Sequence, residues 1–213
     1  AQAGDLRNFR AKWPTVYIDK TQIRENDIGV STLHYNRYLT DDEDHLLRCA
    51  NESFIVVNSQ ITKNQNQAVY TLSPFRVRMD NNDIGEITFM FNGTTISGNG
   101  RGIDQYSWDV RESNNLFHWV LEDTVMENNG GGGIVLMLPF VWQYTENFTH
   151  SLYINSSTFM NNAQFQFIID GHFARVNITY SKFEKNTCQQ GLLSLKGMEK
   201  EMFIYDNLFV SNI

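Results

Sequence analysis

One offset constrains this chain more tightly than its composition does. An asparagine stands three residues after an apolar residue seven times over, as in "SSTFMNN" (156–162), "YSKFEKN" (180–186) and "DNLFVSN" (206–212). With the apolar residue taken as a pivot, the pivots are Ile23, Ile61, Ile96, Val125, Phe159, Phe183 and Phe209. The asparagines that follow are Asn26, Asn64, Asn99, Asn128, Asn162, Asn186 and Asn212. Two residues before each pivot stands a small polar or acidic residue: Thr21, Ser59, Thr94, Asp123, Ser157, Ser181 and Asn207. A repeat of this length, found before any other pattern, marks an array of equivalent structural units.

The positions five before the pivot are all apolar: Ile18, Val56, Phe91, Val120, Ile154, Ile178 and Ile204. Those seven before run Val16, Phe54, Phe89, His118, Leu152, Val176 and Met202, apolar but for His118. Alternation at two-residue spacing is the period of a strand with one face buried. The polar residue, pivot and asparagine then read as a turn that still sends one side chain inward. Asparagine tolerates the left-handed backbone region, so a repeated corner of positive φ would select it, and stacked amides could hydrogen-bond along the stack.

A second apolar strand follows most corners, as in "GVSTL" from Gly29, "AVYTL" from Ala68, "GGIVLML" from Gly132, "FQFIID" from Phe165 and "GLLSL" from Gly191. Each unit is thus one coil whose strands pair with their equivalents in the next coil. The expectation is an all-β, right-handed parallel β-helix of about seven coils with loop insertions, a rod roughly 34 Å long at ~4.8 Å per coil. Repeats such as "LYINSSTFMNNAQFQFII" resemble those of the pectate-lyase-like β-helix superfamily, over residues 16–213. The seventh unit stops at "SNI" before its second strand, where a solenoid needs a cap, so residues 1–213 are expected to be a single β-helix domain from a longer extracellular protein.

Outward positions on the strand before the pivot carry the surface chemistry. By this alignment they include an aromatic face of Tyr17, Trp119, Tyr153, Phe203 and Tyr205, with Asp19 the one charged residue. Enzymes of the superfamily hold acidic polysaccharide in a groove lined by carboxylates and a lysine or arginine, a set this face lacks. Its aromatics could stack on sugars, bind a partner protein or lie beneath the inserted loops. Five N-glycosylation sequons occur, at Asn51, Asn92, Asn147, Asn155 and Asn177, and three of them (Asn92, Asn155, Asn177) fall at outward positions.

Other chemistry is thinner. Asp170, His172 and Arg175 in "DGHFAR" form the best acid–base set, but no second carboxylate falls at an equivalent position in neighbouring coils. "DDEDH" (41–45) and "DNND" (80–83) lack the glycine and spacing of a calcium loop, and "NNGGGGIV" precedes a strand where a phosphate loop would open a helix. Cys49 and Cys188 exclude a cysteine zinc site, and their coils lie too far apart to bridge, so each is expected to be buried or bonded outside residues 1–213. A net charge of −7 with 17 scattered lysines and arginines makes nucleic acid a poor partner, and the longest apolar run, Ile134–Trp142, is too short to span a bilayer. No cofactor is expected.

Two function classes stay open. One is a non-enzymatic extracellular adhesion or interaction scaffold, with a protein or glycan partner at the cell surface; the other is a carbohydrate-active enzyme, a polysaccharide lyase or glycoside hydrolase. The runs "GHFARVNITYSKFEKN" and "LEDTVMENN" are similar to the ectodomains of large insect transmembrane proteins of tricellular junctions. That resemblance implies an adhesive or organising role where three epithelial cells meet, with further β-helix, scavenger-receptor and lectin-like modules elsewhere in the protein. It assigns no residue here a binding role.

Overall fold

The structure is a computed structural model that describes residues 15–33, 52–73, 85–107, 115–131, 133–137, 150–164, 167–170, 175–188, 192–196 and 201–213. Among these residues every regular element is a strand, and the strands form three parallel sheets. The first sheet stacks Thr15–Asp19, Glu52–Val57, Gly85–Asn92, Asn115–Glu122, Ser151–Asn155, Arg175–Thr179 and Met202–Tyr205 in chain order. The second stacks seven three-residue strands, from Gln22–Arg24 to Leu208–Val210, each with a pivot at its centre. The third stacks Ile28–Leu33, Gln67–Ser73, Ile103–Ser107, Ile134–Met137, Phe167–Asp170 and Leu193–Lys196. One strand from each sheet makes a coil, the seventh coil having strands of the first two sheets only among the described residues, and the seven coils form a parallel β-helix.

Two corners flank every pivot strand, and both use the left-handed backbone region. Three residues before the pivot, φ is positive at Lys20, Asn58, Gly93, Asp123, Ser156, Tyr180 and Asp206; two residues after it, at Glu25, Lys63, Gly98, Asn128, Asn161, Lys185 and Ser211. The pivot therefore sits in a short strand between two bends, where the sequence suggested a single turn. The repeated asparagine is not the residue that bends. It lies one place past the bend, and its side chain turns into the coil.

The fourth coil corrects the alignment by one residue. Met126, not Val125, pairs with Ile96 and Phe159, and Trp119, not His118, pairs with Phe89 and Leu152. The ladder asparagine of this coil is consequently Asn129, 1% exposed, while Asn128 is exposed on the bend with φ 55°. Because strand side chains alternate, a slip of one exchanges the inner and outer faces of the whole segment. The corrected register also replaces Asp123 with Thr124, which restores a hydroxyl to the position two before the pivot.

The core is a stack of like side chains. Val56, Phe91, Leu121 and Ile154 lie in one column of the first sheet, and Ile61, Ile96, Met126, Phe159 and Phe183 are the fully buried pivots of the second. Phe159, Phe183 and Phe209 stack with ring centroids 4.9 and 4.8 Å apart. Burying each such side chain contributes roughly 1.5–3 kcal/mol. Among the described residues the end coils have a neighbour on one side only, and Ile23 is half-buried and Phe209 45% exposed.

Beside the core run two polar ladders. Each Oδ1 from Asn64 to Asn212 accepts from both the backbone N–H and the Nδ2 of the asparagine one coil earlier, at 2.8–3.4 Å. From Asn99 onward each Nδ2 also donates to the carbonyl of the previous pivot, as Asn129 does to Ile96 and Asn162 to Met126. The second ladder joins Thr94, Thr124, Ser157 and Ser181, whose hydroxyls donate to the carbonyl two residues back. Both ladders satisfy buried polar groups that would otherwise each cost about 1–3 kcal/mol.

Candidate functional site

The outward face of the first sheet includes two columns that run through all seven coils, successive residues of each ~4.8 Å apart. One column reads Tyr17, Ile55, Met90, Val120, Tyr153, Asn177 and Phe203; the other reads Asp19, Val57, Asn92, Glu122, Asn155, Thr179 and Tyr205. The aromatics are not continuous along it. Tyr17, 62% exposed, stands alone in the first coil, separated by Ile55, Met90 and Val120 from a strip in the last three coils. That strip comprises Tyr153, Phe203 and Tyr205 with Tyr180 from the adjoining bend, all exposed, and Tyr180 meets Tyr205 edge-on at 5.7 Å.

Trp119 does not belong to this face. It is fully buried, stacked on Phe89 at 4.3 Å, and its Nε1–H donates to Gln105 Oε1 at 2.6 Å. The one-residue shift that buries Trp119 brings out residues the repeat alignment placed inside. His118 and Val120 now face outward with Glu122. The sequence held a signal for this, since His118 was the sole polar residue in its column, and moving the unit by one removes that exception.

Polar groups on the face pair between coils. Asn92 Nδ2 donates to Glu122 Oε2 at 2.9 Å, Thr179 Oγ1 donates to Asn155 Oδ1 at 3.0 Å, and Arg175 Nε lies 3.7 Å from Glu201 Oε2. His118 Nδ1 hydrogen-bonds Ser151 Oγ at 2.8 Å. Burial holds this imidazole below its ordinary pKa, partly opposed by the charge of Glu86, so it stays neutral at neutral pH. A hydroxyl on a neutral imidazole is the first half of a nucleophile–base pair. Among the described residues, no hydrogen bond orients the other ring nitrogen.

The set suggested by "DGHFAR" is divided. Asp170 closes a strand of the third sheet, Arg175 opens one of the first, and His172 lies outside the described residues. Asn51, Asn147, Cys49 and the acidic stretches 41–45 and 80–83 also lie outside them. Cys188 is half-buried and unpaired, its thiol pushed up by desolvation, hence a poor nucleophile. Among the described residues no three His, Cys, Asp or Glu side chains gather as a metal site would require, and no helix is long and apolar enough to cross a membrane.

On the third sheet one buried acid escaped the sequence reading. Asp104 alternates with the inward Ile103 and Gln105, yet its side chain is only 1% exposed. Desolvation pushes its carboxyl above the ordinary range, countered by a 2.8 Å hydrogen bond from Gln67 Nε2 and by Arg101, whose guanidinium lies 3.7 Å away.

Fold and face together define a parallel β-solenoid with internal amide and hydroxyl ladders and a laterally exposed aromatic strip. Over 199 residues the chain is 44% identical to Protein bark beetle of Drosophila melanogaster, and it is a homologue of that segment. The match covers 93% of this chain and 6% of the length of that relative. No family model matches the chain, and no solved structure matches it.

Proposed function

We propose that the chain is part of an extracellular, non-enzymatic scaffold at epithelial cell junctions, in which the β-helix is a stiff rod and its outward face meets a protein or glycan at the cell surface. The observation that carries this reading is the homology with Protein bark beetle over 93% of the chain. The structure supports it physically. The most repetitive residues, the asparagines and hydroxyls, are consumed in ladders, while the aromatic strip of Tyr153, Tyr180, Phe203 and Tyr205 is left exposed. Tyrosine suits such a surface because it combines a large apolar ring with a polar tip. The enzymatic alternative draws on the Ser151–His118 contact and would place a hydrolase on the same face.

The test tags the full-length protein in a polarised epithelium. An antibody applied without permeabilising the cells should label it, with the signal concentrated at cell–cell contacts. Labelling only after permeabilisation would contradict the scaffold reading. Turnover of an acidic polysaccharide or ester by the purified chain, abolished by Ser151→Ala, would favour the enzyme.

A further inference from the structure

Among the described residues, Asn155 and Asn177 are the two sequon asparagines that lie beside exposed aromatic rings. Tyr153 precedes Asn155 by two residues on the same strand face, and it is also the register partner of Asn177 on the next coil. Phe203 is the register partner of Asn177 on the other side. Asn177 is thus bracketed by rings that are 37% and 49% exposed, one strand spacing away in each direction. Asn92 differs: its neighbours in these columns are Val57 and Met90, and its Nδ2 is engaged by Glu122.

One of the two amides is held by a hydrogen bond. Asn155 Oδ1 is held by the Thr179 hydroxyl, and Asn177 Oδ1 is buried without a hydrogen-bond partner. Neither Nδ2 makes a hydrogen bond among the described residues, so no described group competes for the nitrogen that would accept a sugar. The sequon hydroxyls are the reverse. Ser157 and Thr179 are 1% and 2% exposed, and both are hydrogen-bonded within the stack. An enzyme that must grip the hydroxyl while it modifies the amide cannot reach either sequon once the coil has closed.

We propose that Asn155 and Asn177 carry N-linked glycans, attached before coils five and six close, whose first sugar rings lie on Tyr153 and Phe203. The inference rests on the extracellular reading above, and it names the first glycan this face meets as the chain's own. The donor is a lipid-diphosphate-linked oligosaccharide. Its anomeric carbon–oxygen bond breaks, a carbon–Nδ2 bond forms, the amide loses a proton and the lipid diphosphate leaves. The apolar face of a pyranose ring then covers aromatic surface that would otherwise face water, leaving the Tyr180–Tyr205 pair at the rim.

The experiment secretes the chain from insect cells behind a supplied leader, so the location of the full-length protein is not at stake. Glycosidase release in heavy-oxygen water, read by mass spectrometry, should mark Asn155 and Asn177 as occupied. Folded, unglycosylated chain offered to detergent-opened microsomes should stay unmodified, while the same chain offered unfolded is modified. Removing the glycans should shift the ring-proton resonances of Tyr153 and Phe203 and leave those of Tyr17 unchanged, a readout that needs no variant. In the double variant Tyr153→Ala, Phe203→Ala, endoglycosidase should release the glycans several-fold faster. Empty Asn155 and Asn177 in the secreted, protease-resistant chain would overturn the proposal. So would efficient modification of the folded chain, or ring resonances indifferent to glycan removal.

Discussion

At the scale of single residues, the structure separates two jobs that asparagine can do. The bends at positive φ are occupied by lysine, glutamate, aspartate, serine, tyrosine, glycine and asparagine alike, so that position selects no residue type strongly. The ladder position is asparagine in all seven coils because only a carboxamide supplies, in one side chain, an acceptor for two N–H groups and a second donor for the previous pivot's carbonyl. Asp104 is the residue at which charge and burial conflict. Its carboxyl titrates higher in the folded chain than in the unfolded one, so folding is favoured by protonation. Stability from this group is present below about pH 4 and is lost as pH rises through the raised folded value. Asp104→Asn keeps an acceptor for Gln67 without the charge. Its denaturation midpoint relative to the parent should therefore rise between pH 4 and pH 7, and a difference that is constant across that range would show that burial of the charge is not what matters. His118 acts with the opposite sign: its depressed pKa should weaken the fold as pH falls below about 6.5.

At the scale of the element, the fourth coil shows what a repeat can and cannot reveal. The stretch from Val120 to Asn129 contains doublets, Val120–Leu121, Val125–Met126 and Asn128–Asn129, that satisfy the pattern in either of two registers. Spacing alone therefore admits a slip, and the pairing of whole strands decides it. Elsewhere the doublets are absent or the neighbours polar, and the coils, their inward columns and their asparagines were legible residue by residue. The short pivot strand was not, because a strand of three residues between two left-handed bends has no periodicity to detect. The outward face was legible only as far as the register was. Trp119 turned from a surface residue into the centre of the core, and His118 and Glu122 entered the face in exchange. Trp119→Phe preserves the stack on Phe89 but leaves Gln105 without its 2.6 Å partner. We expect a loss of about 1–3 kcal/mol in urea denaturation, and a loss near zero would place Trp119 outside the core.

At the scale of the molecule, the β-helix is a one-dimensional stack in which each coil touches only its neighbours, so its stability is a sum of coils and interfaces. The asparagine ladder crosses every interface, from Asn26 to Asn212. The central claim is that this ladder, in its corrected register, holds the coils together and frees the outward face for recognition. The most direct measurement compares Asn129→Ala with Asn128→Ala by equilibrium denaturation. The side chain of Asn129 takes part in four ladder hydrogen bonds in a buried site, and its loss should cost about 3–5 kcal/mol. Asn128 is exposed on a bend, and its replacement should cost no more than about 1 kcal/mol. Equal losses, or a larger loss at Asn128, would contradict the register and with it the placement of every side chain on the face.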